Sequence, residues 1–471
     1  MQIRHLLAAL LCGVSIATSA QQTRTDAFHD AYTLQGIVVL SRHNIRSPLS
    51  GPESALGRIT PHTWFTWSSA PSELSLRGGV LETEMGQYFR LWAEREGLFA
   101  HNAQPDDTEV RFYANSMQRT IATAQYFSSG MFPVGNVPIE HHYPVGTMDP
   151  VFTPQITALS ADYSARAINQ ISSIFGNGSL EGIGRKVKSN FLLVEQVIDI
   201  AQSAACTQGD TCHFNTDDTN ILLQLNKEPA MTGGLKLACT VSDALVLQYY
   251  EQSDDSAAAF GHSLTTEEWR QLSAIKDWYG DVLFTAPLVA INVAHPLLQE
   301  ILSELRTLGR RFSFLCGHDS NIGSVLAALG MTDYDLPESI ERKTPIGSKL
   351  VIEKWLGTDG LYYASLNICY QTPAQLRQQS LLDLDNPPMI YPIRLNDLTP
   401  NADGLYLLTE LEALIEDRIA QYDNLLTDIN TVQEEVHQPS SQATYTLQGQ
   451  SVSPDAQHTF LVRPGQTFYR Q

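Results

Sequence analysis

Positively charged side chains flank a histidine in the segment Arg42-His43-Asn44-Ile45-Arg46-Ser47-Pro48. The protein as a whole is strongly acidic, with 51 Asp and Glu against 30 Lys and Arg among 471 residues and a formal net charge of −21. Such a surface repels nucleic acids and anionic membranes, so an anionic ligand must be captured by a local cluster of basic side chains. Guanidinium groups remain charged at any relevant pH, and their forked donors match phosphate oxygens. Arg42 and Arg46 are therefore the first candidates for a phosphate site.

A second polar motif, Gly317-His318-Asp319-Ser320-Asn321, follows an apolar run at residues 312–316. A His-Asp pair in front of a helix is, taken alone, more typical of a helix cap than of a catalytic site. Beside an arginine cluster, however, it supplies what phosphate ester hydrolysis still lacks. His318 can donate to charged oxygens, and Asp319 can protonate the leaving alcohol. We therefore predict that the two motifs meet in one cleft.

The elements that position these motifs have the pattern of buried strands that end in polar loops. Residues 36–41, 110–114 and 311–316 are apolar or β-branched runs, and the last two precede helical patterns at 116–127 and 321–329. Strands that lead into helices indicate an α/β sheet, which binds ligands beyond the carboxyl ends of its strands. Both motifs follow such strand ends.

Together these segments resemble the histidine acid phosphatases, a family that includes bacterial phytases and periplasmic glucose-1-phosphatase. The string Arg42-His43-x-x-Arg46-x-Pro48 with a distant His318-Asp319 carries the likeness. It extends over roughly residues 34–420 and is greater toward the glucose-1-phosphatase group. The supporting segments are residues 41–46, 78–82, 113–120, 146–150, 248–251, 317–322 and 342–347.

The resemblance implies a role for each motif residue. His43 is expected to be the nucleophile that forms a phosphohistidine, and Asp319 the general acid. No metal or other cofactor is implied. Because Asp319 must be protonated to donate, we expect a low working pH unless its surroundings raise its pKa. The phosphoryl oxygens are expected to be held by Arg42, Arg46, Arg119 and His318.

Two residues suggest which phosphomonoester is the substrate. Many family members have glycine after the histidine, whereas this chain has Asn44, as does the glucose-1-phosphatase group. This difference favours small sugar phosphates over phytate. Glu228 matches an acidic residue at the pocket mouth in that group and would disfavour highly anionic substrates, although a solvated charge before Pro229 is an equal alternative. A true phytase is the alternative enzyme. A periplasmic sugar-phosphate binding protein, using the arginines without chemistry, is the alternative of another class.

For the whole chain the sequence predicts an α/β fold. The resemblance implies a phosphoglycerate-mutase-like sheet domain flanked by helices, formed by residues 21–150 and 290–400, with a mostly helical inserted domain at 151–289. Helical spacing runs through 184–201 and 265–282. Residues 401–471 form a C-terminal helix and a tail of unknown role. Heptad-spaced apolar residues from Leu408 onward favour packing on the protein body over a coiled coil and leave a homodimer open.

The N-terminus indicates export. Residues 1–20 have a basic start, a short apolar run and small residues at the exit, which is typical of a cleaved signal peptide and too short for a membrane span. We therefore expect a periplasmic or secreted protein whose partner is a small-molecule phosphomonoester, with no nucleic acid or membrane partner. In that compartment, Cys206 and Cys212 are spaced for a local disulfide, whereas Cys316 and Cys369 lie in strand-like runs and are expected to be buried.

Overall fold

The computed structural model describes residues 24–51 and 53–437 and four short strands within 444–470, with side chains described for 24–51 and 53–427. The predicted signal peptide at residues 1–20 and much of the predicted tail lie outside the described residues. The strands are, in chain order, β1 (Tyr32–Arg42), β2 (Val110–Ala114), β3 (Ile139–Glu140), β4 (Asn220–Leu222), β5 (Ala230–Thr232), β6 (Phe312–Gly317), β7 (Lys349–Gly357), β8 (Tyr362–Tyr370), β9 (Met389–Pro392), β10 (Tyr406–Leu407), β11 (Thr444–Thr446), β12 (Ser451–Val452), β13 (Thr459–Arg463) and β14 (Gln466–Arg470).

Helices surround these strands, together with one 3₁₀ turn at Ile200–Gln202. They are α1 (Asp26–Ala31), α2 (Ala55–Arg58), α3 (Leu76–Arg95), α4 (Gln118–Met131), α5 (Ala161–Phe175), α6 (Leu180–Lys186), α7 (Lys188–Val197), α8 (Ala204–Thr207), α9 (Gly234–Glu251), α10 (Asp255–Ala258), α11 (Thr266–Phe284), α12 (Pro287–Arg306), α13 (Asp319–Ala328), α14 (Pro373–Gln378) and α15 (Leu408–His437).

The main sheet is mixed, with the strand order β10-β8-β7-β1-β6-β2-β3 and with β9 paired to β8. Strand β6 lies between β1 and β2 and runs parallel to both. Arg42 therefore pairs with Gly317, and Ala114 pairs with Cys316. On the other side, β7 runs antiparallel to β1. Three parallel strands therefore end at the same edge, which is where an α/β sheet binds its ligands. This is the predicted α/β architecture of a sheet flanked by helices.

The strands and helices around both motifs agree with the sequence patterns. Strands β1, β2 and β6 occur where they were expected, and helices α4 and α13 follow the last two. Helix α11 begins with a capping box formed by Thr265 and Glu268. The core of β1 is buried because helices and neighbouring strands cover both of its faces, as its β-branched sequence indicates.

The helical spacing over 184–201 is divided in the structure among α6, α7 and the 3₁₀ turn. Val187 leaves helical geometry with φ −106° and ψ 18°, and Asp199 adopts a left-handed conformation at φ 49°. The preceding turn presses Gly184 against the Thr216 carbonyl, where an added Cβ would lie 2.3 Å from the oxygen. The apolar spacing therefore continues through a segment whose helices are interrupted at Val187 and Asp199.

Helices α5–α11 and the short paired strands β4 and β5 lie between β3 and β6 along the chain. The division of the chain at residues 151 and 289 into separate domains stays a prediction. The disulfide between Cys206 and Cys212 is present, and Cys316 and Cys369 are buried free thiols, as expected. Among the described residues no single helix is long and apolar enough to cross a membrane, although α11 and α12, bent by 86°, meet the length and composition requirement as a pair.

Helix α15 packs on the body of the protein along its first five turns, as its apolar stripe favours. Leu408, Leu411 and Ile415 belong to the core around β8 and α12. Tyr422 continues this contact, since its ring stacks on His295 with centroids 3.4 Å apart and its hydroxyl lies 2.8 Å from the hydroxyl of Thr157.

Candidate active site

The carboxyl ends of β1, β6 and β2 surround one end of a cavity of about 520 Å³. The backbone joins these ends directly: the His43 amide donates to the Gly317 carbonyl at 3.1 Å, and the Asn115 amide donates to the Cys316 carbonyl at 2.9 Å. His43, Arg46, Arg119, His318 and Asp319 all line this cavity. The two sequence motifs therefore meet in one cleft, and Arg119 reaches it from the first turn of α4.

The imidazole of His43 is oriented by its own loop. Its Nδ1 lies 2.8 Å from the Asn44 carbonyl oxygen, which can only accept a hydrogen bond, so Nδ1 carries the proton and Nε2 keeps a free lone pair. Burial and the nearby Arg119 and Arg46 cations hold the pKa of His43 well below its ordinary value. The ring is therefore neutral under mildly acidic conditions and is prepared to act as a nucleophile.

The three arginines differ in how much of their charge is already compensated. Arg42 lies behind the cavity wall, where its Nη1 donates to Glu341 at 2.7 Å and to the Thr344 carbonyl at 2.6 Å. Arg46 donates to Asp243 at 3.0 Å. Among the described residues Arg119 pairs with no carboxylate.

The uncompensated charge of Arg119 favours an anion at this end of the cavity. Burial and repulsion by Arg46 lower the pKa of Arg119 to about 10. Its Nε is buried and has no hydrogen-bond partner in the described part of the protein. A phosphoryl group placed between Arg46 and Arg119 would relieve both the repulsion and the missing hydrogen bond.

His318 faces Arg119 across the same space. Its Nδ1 lies 3.5 Å from the Arg119 guanidinium, and its ring centroid lies 5.5 Å from that of His43. Burial and the Arg119 charge lower its pKa to about 3, so this imidazole is also neutral at working pH.

Asp319 begins α13 between two cations. Its carboxylate lies 3.2 Å from the Lys276 ammonium and 3.5 Å from the Arg42 guanidinium. Although burial disfavours its charge, Arg42 and Lys276 hold the pKa of Asp319 well below its ordinary value. The surroundings therefore lower this pKa rather than raise it, and Asp319 is ionised in the empty site.

Buried histidine and arginine side chains around an anion site are characteristic of phosphoryl transfer by way of histidine. The sequence profile of the histidine phosphatase superfamily (branch 2) matches residues 33–366. The chain belongs to this superfamily. It is accordingly a phosphatase, an enzyme that hydrolyses phosphate esters.

Curated relatives and solved structures agree with this assignment. Glucose-1-phosphatase of Salmonella typhimurium is 35% identical over 413 residues, which are 87% of this chain and 98% of the relative. Glucose-1-phosphatase of Providencia rettgeri is 34% identical over 405 residues, 85% of this chain and 94% of the relative. Among solved structures, the phytase from Citrobacter braakii superposes with a TM-score of 0.76 at 27% identity, covering 82% of this chain and 97% of that one.

The two residues expected to select the substrate lie in different places in this histidine phosphatase. Glu228 is exposed and lines the cavity, and the protein around it raises its pKa. The Asn44 side chain is fully buried and turned away from the cavity, because its amide donates to Glu82 at 2.8 Å and its oxygen accepts from the Ile45 amide. Glu82 in turn contacts the buried Lys349 ammonium at 3.1 Å.

Asn44 therefore connects the catalytic loop to a buried ion pair rather than to the space where a substrate would lie. The exposed His141 and His142 lie outside the residues that line the cavity.

Two side chains that contact the predicted catalytic residues were not identified from the sequence. Asn115 donates to His318 Nε2 at 2.7 Å, and it stands at the end of β2, a position that the strand pattern marks. Lys276 contacts both Asp319 and the buried Glu341. No local signal distinguishes Lys276, since it is one of several charged residues on α11, more than forty positions from Asp319 in sequence.

Proposed function

We propose that the protein hydrolyses phosphate monoesters of small sugars, glucose 1-phosphate among them, through a phosphohistidine on His43. The observation that carries this proposal is the orientation of His43, whose Nδ1 is fixed by a backbone carbonyl while its neutral Nε2 remains free in a cavity with an uncompensated arginine. A protein that only binds sugar phosphates has no use for such a nucleophile. Arg46, Arg119 and His318, which line the cavity, are the proposed contacts for the phosphoryl oxygens. Arg42, which was expected to be a fourth contact, lies behind the wall and is proposed to act through its charge on Asp319.

The reaction then has two steps. His43 Nε2 attacks phosphorus as the bond to the leaving oxygen breaks, and protonated Asp319 gives its proton to that oxygen. Water next attacks the phosphohistidine, Asp319 takes a proton from it, and breaking the P–N bond releases inorganic phosphate and neutral His43. Positioning and charge neutralisation supply most of the catalysis in such a transfer.

The proton for the first step arrives with the substrate. Arg42 and Lys276 keep Asp319 ionised in the empty site, so the resting enzyme does not hold this proton at mildly acidic pH. A phosphate monoester, whose second pKa is about 6, carries one proton in its monoanionic form. When the ester binds, its negative charge compensates the cations that lower the pKa of Asp319, and the carboxylate can accept the proton. Acidic conditions are thus required by the ester rather than by a raised pKa of Asp319.

A monosaccharide substrate is supported by the relatives and by the cavity. The two glucose-1-phosphatases are 34–35% identical to the chain, against 27% for the phytase structure. Glu228 lines the cavity, and in its ionised form it would repel the additional phosphates of phytate. The structural likeness to phytases nevertheless makes phytate the second candidate substrate.

Two comparisons test the proposed function. Turnover of glucose 1-phosphate should exceed turnover of phytate by the purified protein at acidic pH, and a strong preference for phytate would reverse the assignment. Replacing the nucleophile, His43→Ala, should abolish hydrolysis of p-nitrophenyl phosphate and of both natural esters. His141→Ala, which removes an exposed histidine outside the cavity, is the matched control and should retain activity. Equal activity of His43→Ala and the wild type would show that His43 is not the nucleophile, and a wild type that hydrolyses none of these esters would leave only a binding function.

Export is also part of the proposal. The predicted signal peptide at residues 1–20 and the disulfide between Cys206 and Cys212 both suit an oxidising compartment outside the cytoplasm. We infer a periplasmic or secreted enzyme that meets its phosphomonoester there.

A further inference from the structure

The cavity continues well beyond its phosphate end. From Asp319 it extends between α11 and α13, where its walls include Asp277, Asp281, Tyr334 and Lys343. We call this part the distal arm. A phosphoryl group occupies only a small fraction of about 520 Å³, which lies within the ordinary range for small-molecule sites. The distal arm is therefore available to the rest of the substrate.

The direction of the distal arm is that of the leaving group. Asp319 must lie against the leaving oxygen, and it contacts Lys276 of α11 at 3.2 Å. Asp281 follows Lys276 by five residues on the same helix, which places it about 7.5 Å farther along the axis at 1.5 Å per residue. That separation is comparable with the length of a hexose ring. A sugar bonded to the phosphate would thus extend from Asp319 toward Asp281.

The side chains of the distal arm offer acceptors but little available positive charge. The Lys343 ammonium is paired with Asp333 and donates to the Tyr334 carbonyl at 2.6 Å. One oxygen of Asp277 accepts from the Arg342 amide at 2.8 Å. The Asp281 carboxylate, by contrast, has no hydrogen-bond partner within the described part of the chain, and it is partly buried in the cavity wall. It is therefore free to accept a hydrogen bond from a group in the cavity.

We propose that the distal arm is the subsite for a polyhydroxylated leaving group, a sugar, with Asp281 accepting a hydrogen bond from one of its hydroxyl groups. This inference rests on the proposed function and adds the residues that would recognise the sugar. A second phosphate is disfavoured there, because the nearest cation, the Lys343 ammonium, is already paired with Asp333.

The titration of the two acids is consistent with this subsite. Burial raises the pKa of Asp277 to about 6, and burial together with Asp277 raises that of Asp281 to about 7. At acidic pH both groups are largely uncharged and can accept or donate a hydrogen bond, so they do not repel the phosphoryl group that binds beside them. A sugar hydroxyl needs only such a neutral partner.

The test is to remove Asp281 and compare a sugar ester with an aryl ester. We expect Asp281→Ala to lower kcat/KM for glucose 1-phosphate by about tenfold, the value of one hydrogen bond of about 1.4 kcal/mol, while kcat/KM for p-nitrophenyl phosphate changes less than about twofold. Asp281→Asn keeps an oxygen acceptor and should lose less. Glu267→Gln, an exposed position of the same helix outside the cavity, is the control and should change neither value.

Retained turnover of p-nitrophenyl phosphate also shows that each variant is folded. If both esters lose activity equally, or if glucose 1-phosphate loses none, the distal arm is not the sugar subsite, and the proposed function stands without it. If the wild type hydrolyses aryl esters but no sugar phosphate, the proposed substrate class fails, and the subsite fails with it.

Discussion

At the scale of single residues, the neutral side chain of Asn115 determines which ring nitrogen of His318 carries the proton. The Asn115 oxygen accepts from the Asp149 amide at 2.8 Å, which fixes its amide nitrogen toward His318 Nε2. An amide nitrogen only donates, so Nε2 must accept and Nδ1 must carry the proton. Nδ1 faces Arg119, where the phosphoryl group is proposed to bind. Asn115 is therefore a positioning residue that makes His318 a donor to phosphate.

We predict that Asn115→Asp reverses this arrangement. A carboxylate at residue 115 accepts from Nε2–H, so neutral His318 would face the phosphoryl group with an unprotonated Nδ1. We expect kcat/KM to fall by about 10-fold to 100-fold, as when one donor to a developing charge is lost. The loss should shrink as the pH is lowered, because the added carboxylate raises the pKa of His318 and the protonated ring donates from both nitrogens.

The direct measurement is ¹⁵N NMR of the imidazole, which distinguishes protonated Nδ1 in the wild type from protonated Nε2 in the variant. Asn321→Asp adds the same charge beside the same histidine, but the Asn321 oxygen contacts only the His318 backbone amide, so this control should leave the tautomer unchanged. A wild-type His318 protonated on Nε2 would contradict the role given to Asn115.

At the scale of secondary-structure elements, the sequence predicted the parts of the site that follow directly from a strand. The residues after β1 and β6 were identified because a buried strand ending in Arg, His and Asp is unusual. Arg119 was placed only by the family resemblance, and Lys276 was not identified at all. Its contact with Asp319 depends on how α11 packs beside α13, and local sequence does not encode the packing of two helices that are distant along the chain.

The C-terminal helix provides a prediction about elements. We expect truncation after Thr427 to leave activity unchanged, because it keeps every contact with the core that the described side chains of α15 make, as far as Leu426. Truncation after Gln421 also removes Tyr422, with its ring stack on His295 and its hydrogen bond to Thr157. We expect this second truncation to lower the free energy of unfolding by about 3–5 kcal/mol, the usual cost of deleting a large buried aromatic side chain.

Urea denaturation of the two truncated proteins measures the difference, and size-exclusion chromatography of the same samples tests whether the helix sets the oligomeric state. Equal stability of the two proteins would mean that the end of the described helix contributes nothing to the fold. A change from dimer to monomer after Thr427 would assign the remaining residues to a homodimer contact.

At the scale of the whole molecule, the charge balance favours acidic conditions. The net charge of −21 at pH 7 falls toward zero near the pI of about 4.9, which relieves repulsion between surface carboxylates. Inside the protein, the raised pKa values of Asp277 and Asp281 act in the same direction. In the opposite direction, the lowered pKa values of His43 and His318 reduce stability as the pH falls below about 6.5, because the unfolded chain then binds more protons.

We predict that Asp281→Asn stabilises the protein at pH 8 and has little effect at pH 4. The folded-state pKa of Asp281 is raised to about 7, so its contribution to stability is present below the unfolded value of about 4 and is lost as the pH rises through 7. Asparagine is neutral at both pH values and avoids the cost of a buried charge, which we expect to be about 1–3 kcal/mol at pH 8. Urea denaturation at the two pH values measures it.

The exposed variant Glu267→Gln should show no such dependence. An equal effect of Asp281→Asn at pH 4 and pH 8 would show that the carboxyl group titrates normally and is not buried as described.

The two ends of the cavity are formed largely by different segments of the chain. Three strand ends supply the groups that handle phosphorus, whereas the distal arm is formed by α11, α13 and the loop residues Tyr334 and Lys343. Selection can therefore change distal-arm residues such as Asp281 and Tyr334 without replacing the groups at the strand ends, provided that Lys276 of α11 and Asp319 of α13 are kept. Relatives with this fold can thus differ in substrate specificity while they keep the same hydrolytic mechanism. A gene library randomised only at the distal arm should yield enzymes with new ester preferences.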